Sequence, residues 1–490
     1  MKRLIILLHR YLGIPMSFVF IVWFLSGIVM MYTGDMPALS DAGRLRGLGP
    51  IPLAAVTLSP AEAVTRAGVG TPVMQATLQT LLGRPAYRFA SAFGPSTTVF
   101  ADSGEIFAAA SLEQGRSEVA RFTDQPLAAV SFSTTVSQAD QWTITLAREL
   151  PLERFDVADG RGTRAYFSRV SGEVELITDR GSRALAWLGA IPHWFYFTPL
   201  RTNQPAWYWT VVWVSVAGSV LAVLGIILAF TQFRRSKPFR LSASVRYRGW
   251  MRWHYYSGAL FGVFALTWVF SGLLSMEPFD WTNASGLELP RNDLQGGTLE
   301  LERYRLDEPD LLAALAGNAP TEIDLLRIQS NPYYQIALSQ PDSGRERLLL
   351  DAETLTVRAE PFAVESILAE LEATVAEATI REHEVLDSYD AYYYARGGEA
   401  PLPVLRVKFS DPADTWYYFD LMTSSAIAAN HRLSRLERWL FNGLHSLDFS
   451  FWYQRRPLWD IGMILLSLGA LATSSIGMYL GCKRLFGRSS

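Results

Sequence analysis

The sequence predicts a membrane protein of four transmembrane α-helices in two duplicated halves, carrying two extracytoplasmic α+β domains. Three observations point to it: four long apolar windows free of charge, a histidine motif that occurs twice, and two acidic stretches of mixed pattern between the windows. Composition agrees, because 49% hydrophobic and 13% aromatic residues with a formal charge of only −3 suit a membrane protein with large water-facing parts. A nucleic-acid binder would carry a marked basic excess.

The windows are Tyr11 to Gly34, Thr202 to Phe233, Trp253 to Met276 and Ile461 to Cys482. Each exceeds the roughly 20 residues that a helix needs to cross a hydrocarbon core about 30 Å thick. They divide the chain into a first helix (1–34), a first extracytoplasmic domain (35–181), an interfacial helix with the second span (182–233), and a basic connection (234–252). The third span (253–276), a second domain (277–433), an interfacial helix with the fourth span (434–482) and a short tail (483–490) follow. Lys2 and Arg3 before an apolar run resemble a signal peptide. No small-x-small cleavage site follows, so an uncleaved anchor is the better reading.

Arg234, Arg235, Lys237, Arg240, Arg246, Arg248 and Arg252 crowd the connection between the second and third windows, and Lys2, Arg3, Arg10, Lys483, Arg484 and Arg488 flank the termini. Basic residues in short flanks favour the cytoplasmic side. Both termini are therefore expected in the cytoplasm, with the two long loops outside. The one cysteine, Cys482, excludes an intrachain disulfide, and the absence of CxxCH excludes covalent c-type haem. Each loop, at about 170 residues, is large enough to need only its own core.

The loops read as short strands and helices. Ala86 to Ala92, Thr97 to Ala101, Arg164 to Thr178, Tyr333 to Leu338, Arg347 to Leu350, Val404 to Phe409 and Thr415 to Phe419 are rich in β-branched and aromatic residues. Turn signals such as Asp102-Ser103-Gly104 and Ser171-Gly172 break them. Pro60 to Ala67, Pro309 to Ala316 and Val364 to Ala378 carry helical patterns. The run from Tyr166 to Val174 has a weaker echo from Val99 to Ile106, which suggests a hairpin unit used more than once.

The repeats are the most informative feature. His9, Tyr11, Gly13, Trp23, Ser26 and Gly27 recur 245 residues later as His254, Tyr256, Gly258, Trp268, Ser271 and Gly272. Ser182, Arg183, Trp187, Leu188, His193 and Phe197 recur 252 residues later as Ser434, Arg435, Trp439, Leu440, His445 and Phe449. Four of the six histidines in the chain fall in these matched pairs. A polar, titratable, metal-binding side chain repeated at equivalent places beside a membrane needs a physical reason.

The chain resembles the PepSY-associated transmembrane proteins. The resemblance rests on His9-Arg10-Tyr11 with Trp23 to Gly27, Leu402-Pro403-Val404-Leu405-Arg406-Val407, Thr415-Trp416-Tyr417-Tyr418, and Arg438-Trp439-Leu440 through Gly443-Leu444-His445-Ser446-Leu447. It departs where the family often has Asp-Pro-x-Thr-Gly and this chain has Asp420-Leu421-Met422-Thr423-Ser424. The resemblance implies PepSY-like outer domains, a place in the bacterial inner membrane, and kinship with iron-regulated proteins that include haem-b siderophore-iron reductases.

The residues argue for haem on their own terms. A bis-histidine b-type site needs two neutral imidazoles facing across a macrocycle, an apolar wall, and cations for the propionates. In halves related about an axis normal to the membrane, equivalent residues meet at one depth. The expected pairs are His9 with His254 near the cytoplasm and His193 with His445 near the outside, four ligands to two haem irons. Around the inner pair, Tyr11, Trp23, Trp253, Tyr256 and Trp268 are candidate walls, Gly13, Gly27, Gly258 and Gly272 make room, and Arg10, Arg248 and Arg252 are candidate propionate partners. Trp187, Trp194, Phe197, Trp439 and Phe449 would surround the outer pair, with Arg201, Arg455 and Arg456 nearby.

Bland readings stand beside these. Trp and Tyr at span ends serve as interfacial belts, glycines as helix-packing sites, and arginines as topology signals. His383, in Glu382-His383-Glu384, lacks the second histidine of HExxH because position 387 is Asp387; His431 has no histidine counterpart in the first half. Both are expected to be structural or surface residues, and the Tyr389–Tyr394 cluster to belong to a domain core or interface. The sequence therefore points to a haem-dependent oxidoreductase passing electrons across the membrane. Membrane lipid, an outer acceptor such as a ferric chelate, and a cytoplasmic or quinol donor are the expected partners, with no nucleic acid. A non-enzymatic partner-binding module and a transporter subunit are the alternatives, the latter weakened by spans with no charge to line a polar path.

Overall fold

A computed structural model of the chain describes residues 2–486 apart from 93–95, 235–243, 285, 290–296, 307–310, 312–314, 316–318, 341–343 and 396–399. Its four long apolar helices are span 1 (Lys2–Thr33), span 2 (Gln204–Gln232), span 3 (Gly249–Leu274) and span 4 (Leu458–Phe486). Spans 1, 3 and 4 begin before their charge-free windows, and in span 1 Lys2, Arg3 and Arg10 continue the helix, their long stems letting the charged heads reach the interface, whereas span 2 stays within its window. Thus His9 sits on a span and not before it. Span 2 starts where the Asn203 side chain accepts a hydrogen bond from the Ala206 amide, with Pro205 in the first turn. Span 1 packs on spans 2 and 4, and span 3 packs on the same two. Spans 1 and 3 therefore face each other across the middle of the bundle, around a core of Met16, Phe20, Phe24, Leu221, Trp268 and Met463.

Among the described residues the loops build three antiparallel sheets from fourteen strands. The first loop supplies β1 (Val73–Leu81), β2 (Arg84–Ser91), β3 (Thr97–Phe100), β4 (Val130–Val136), β5 (Leu152–Val157), β6 (Thr163–Phe167) and β7 (Val174–Thr178). The second supplies β8 (Pro320–Ile328), β9 (Asn331–Gln340), β10 (Gly344–Asp351), β11 (Ile380–Leu386), β12 (Val404–Phe409), β13 (Trp416–Asp420) and β14 (Ser425–Asn430). Strands β4 to β7 form one four-stranded sheet covered by the helix Leu112–Phe122, and β11 to β14 form another covered by the helix Val364–Thr374.

The third sheet differs from the expectation that each loop keeps its own core. Its order is β10-β9-β8-β1-β2-β3, with Leu78 opposite Ile323 where the two loops meet. One apolar cluster includes Tyr87 and Phe89 from the first loop and Tyr334 and Ile336 from the second. Pairing β1 with β8 removes two open sheet edges, and it places both loops on the same side of the bundle. The seam also explains why these strands escaped the sequence pattern. Gln79 and Glu322, polar and buried, occupy positions that an apolar alternation would fill; Arg44 pairs with Glu322, and the Gln79 amide donates to Glu173.

Elsewhere the periodicities land close. The Pro60–Ala67 helix begins at a Ser59–Glu62 capping box. The helix from Val364 ends at Thr374, short of Ala378, as β-branched Thr374 and Val375 turn the chain toward β11. The Pro309 to Ala316 pattern lies mostly outside the described residues. The echoed unit is a turn: Val99 bridges Ile106, and Leu350 bridges Val357 in the second loop.

Short helices carry each loop back to the membrane: Arg180–Leu188 and Ala190–Trp194 in the first half, Arg432–Arg438, the π-turn Trp439–Gly443 and Leu444–Ser446 in the second. The Asp179 side chain caps the first series by accepting from the Ser182 amide, and His431 Nδ1 caps the second by accepting from the Ser434 amide. These caps are 252 positions apart, so His431 has a counterpart in role. Burial and the Arg435 guanidinium hold its pKa below the ordinary value, keeping Nδ1 an acceptor. His383 lies exposed on edge strand β11.

Candidate functional site

The four repeated histidines meet in two pairs. His9 on span 1 faces His254 on span 3 with ring centroids 6.3 Å apart and planes at 46°. His193, on Ala190–Trp194, faces His445, on Leu444–Ser446, at 6.1 Å and 84°. Two imidazole nitrogens on opposite sides of one metal, each bonded at about 2.0–2.1 Å, stand about 4 Å apart, and half a ring on either side brings the centroids to about 6 Å. Both pairs have that spacing. His9 and the Gly27 against which His193 rests are 18 positions apart on span 1, so the pairs differ in depth by roughly 27 Å at 1.5 Å per residue.

The far nitrogen of each ring fixes the near one. His193 Nδ1 lies 3.0 Å from Ser26 Oγ, and His445 Nδ1 lies 3.0 Å from Ser271 Oγ. Ser26 donates its own proton to the Val22 carbonyl and Ser271 donates to that of Trp268. Each hydroxyl must then accept from Nδ1–H, and the Trp268 carbonyl, 3.2 Å from His445 Nδ1, can only accept. His254 Nδ1 donates to the Thr473 carbonyl at 3.1 Å by the same logic. The protons sit on Nδ1, and Nε2 keeps the lone pair that a metal takes. His9 Nδ1 is buried beside the corresponding Leu221 carbonyl.

Glycines seat all four rings. A Cβ on Gly225 of span 2 would stand 3.0 Å from His9 Cε1, and one on Gly477 of span 4 would stand 3.2 Å from His254 Cε1. Gly27 and Gly272 do the same for His193 and His445, at 3.4 and 3.7 Å. These two glycines thus belong to the outer pair, not to the inner one expected from the sequence. Gly225 and Gly477 were missed, although their separation of 252 equals that of His193 and His445.

A cavity of about 630 Å³ surrounds the inner pair, within the roughly 300–1,000 Å³ of pockets that hold a cofactor-sized molecule. Phe20, Phe261, Tyr247 and Tyr255 line it together with Gly13 and Gly258. Tyr11 and Trp253, proposed as walls, are instead exposed on the bundle surface; residues two apart on a helix point to different sides, so Tyr11 cannot share the face of His9. Tyr256 is not among the lining residues. Trp23 and Trp268 lie at the outer pair, where the Trp23 indole donates to the His193 carbonyl and the Trp268 carbonyl accepts from His445.

Arg10 lines the inner cavity, and so does Arg484, whose place in a basic flank marks it in the sequence only as a topology signal. Arg252 does not: its Nε donates to the Tyr247 carbonyl. Near the outer pair, Arg201 stacks on Tyr196 and Trp207, and Arg456 pairs with Asp460. Arg438 pairs with buried Asp448, which also accepts from the Tyr394 hydroxyl, so the tyrosine cluster fastens the second outer sheet to the membrane helices. Trp207 and Trp459 donate to the Trp194 and Ser446 carbonyls and pin the histidine-bearing helices to spans 2 and 4.

Among the described residues no three His, Cys, Asp or Glu converge. Each pair therefore offers two facing imidazoles, whereas a structural zinc site takes four protein ligands. The remaining coordination would have to come from a ring that fits between the imidazoles.

Residues 6–480 match the PepSY-associated TM region. The chain belongs to the PepSY-associated transmembrane family. Among curated proteins, none matches it. The match covers all four paired histidines, the whole of spans 2 and 3, most of spans 1 and 4, and the three sheets.

Proposed function

We propose that this PepSY-associated protein carries electrons across a bacterial inner membrane through two b-type haems and reduces an acceptor on the sheet-bearing side, such as a ferric chelate. The observation that carries this reading is the pair of facing imidazole couples, with ring centroids 6.3 and 6.1 Å apart and a hydroxyl or carbonyl partner beside Nδ1 of His193, His254 and His445. The two halves are read as a duplication, because equivalent residues make equivalent contacts around each ring. The loops at 35–181 and 277–433 are read as PepSY-like units joined along the β1–β8 seam.

Haem iron, when bound, supplies reversible one-electron chemistry; the polypeptide supplies everything around it. His9 with His254, and His193 with His445, would hold the two haem irons. Ser26, Ser271 and the Thr473 carbonyl orient three of the rings and hold their tautomers. Arg10 and Arg484 would meet propionates at the inner cavity, and Phe20 and Phe261 keep water from it. The basic flanks, including Arg234, Arg246 and Arg248, favour a cytoplasmic position for the termini and the inner pair. A cytoplasmic or quinol donor would feed that end.

The test is the haem-to-protein ratio of the purified protein by pyridine haemochrome. The expected ratio is two, and His445→Ala or His193→Ala lowers it to one while the inner Soret contribution persists. A colourless protein, or full haem content in both variants, would overturn the reading.

A further inference from the structure

A second cavity, lined by none of the histidines, lies where the β8–β9–β10 end of the six-stranded sheet meets the β13–β14 hairpin. Its volume is about 610 Å³, again in the range that holds a small molecule. Three guanidinium groups line it, those of Arg327, Arg347 and Arg358. Arg358 stacks on the Phe362 ring at 3.9 Å and donates to the Pro361 carbonyl; Arg347 donates to the Gln335 side chain. Among the described residues, neither has a carboxylate within ion-pair distance. Arg327 pairs with Glu300 at 3.2 Å and donates to the Thr298 carbonyl. The Nε atoms of Arg327 and Arg358 are buried and make no hydrogen bond.

Among the described residues, the one acid lining the cavity is Asp420, whose oxygens are engaged by its own turn, accepting from the Met422 amide and the Thr423 hydroxyl. Cationic groups thus outnumber the anionic one, and two buried N–H donors lack an acceptor, an arrangement that an incoming anion relieves. Guanidinium forks match carboxylate oxygens two by two. Leu326, Leu349, Val357 and Ile427 complete the lining, and such an apolar wall favours an organic anion over a bare inorganic one.

We propose that this cleft binds a small organic polycarboxylate. The proposal stands apart from the haem reading, since no histidine pair takes part in it. Isothermal titration of the full-length protein in detergent, with metal-free citrate as probe and inorganic phosphate as the comparison, tests it. Citrate should saturate one site, weaken with added salt, and lose about tenfold or more in affinity in Arg358→Gln and in Arg347→Gln, a change of about 1.4 kcal/mol. Arg161→Gln, on the surface of the other half, should leave binding unchanged. Arg347 is exposed, so its variant decides the matter if Arg358→Gln unfolds. Absence of saturable citrate binding, equal binding by the arginine variants, or phosphate binding that citrate does not displace would each overturn the proposal.

Discussion

Alanine in place of each of the four histidine-seating glycines forms a graded series whose order the structure sets. A new Cβ would stand 3.0 Å from the His9 ring at position 225, 3.2 Å from His254 at 477, 3.4 Å from His193 at 27 and 3.7 Å from His445 at 272. The first two are closer than ordinary carbon contacts of about 3.5–4.0 Å, so the ring must move by a few tenths of an ångström; the last fits without movement. Overpacking of this kind costs typically about 1–3 kcal/mol, which corresponds to about 5- to 150-fold in the affinity of whatever the rings hold. Gly225→Ala and Gly477→Ala should therefore lose inner-site haem on dilution, seen as a falling haemochrome ratio. Gly272→Ala should retain full content, and Gly27→Ala should fall between. Equal haem retention across the series, or greater loss from Gly272→Ala than from Gly225→Ala, would refute the packing argument.

Ser271→Ala removes the hydroxyl beside His445 but leaves the Trp268 carbonyl, so the outer haem should be retained with affinity reduced by about tenfold and its midpoint potential shifted, as redox titration would record; an unmoved potential argues against the hydrogen bond. Ser424 takes the glycine position of the family turn at φ 54 with its hydroxyl buried and unpaired, so Ser424→Gly should stabilise the outer region by about 1 kcal/mol in thermal or denaturant unfolding. Burial raises Glu370 to about 7. An acid raised in the folded state favours folding while protonated, so this contribution is present below the unfolded pKa and is lost as pH rises from about 4.5 toward 7; Glu370→Gln should flatten that fall in outer-region stability.

The spans were readable because the bilayer demands about 20 apolar residues in a row and nothing else in the chain satisfies that demand. The pairing of histidines was readable because the repeat carries each with its neighbours, Ser26 with Gly27 and Ser271 with Gly272. The depth of those neighbours was not. Trp23 and Gly27 follow His9 in one motif, yet the helix carries them roughly 21–27 Å away to a ring supplied by a distant segment, His193. Long-range seating is likewise invisible in local patterns: Gly225 touches His9 only because span 2 lies beside span 1. The shared sheet was missed for a related reason, since Gln79 and Glu322 lie at a seam where partners from other segments, Arg44 and Glu173, satisfy them. Cap roles hid behind residue identity, as Asp179 and His431 do the same work with different acceptors.

Low-temperature electron paramagnetic resonance of the oxidised protein addresses the histidine pairs most directly. Two low-spin ferric signals of bis-nitrogen ligation are expected, distinct because the imidazole planes meet at 46° in one pair and 84° in the other. His9→Ala should abolish one signal and His193→Ala the other. A single signal, a five-coordinate high-spin spectrum in the unmodified protein, or loss of both signals from either substitution alone would contradict two imidazole-paired haems at separate depths.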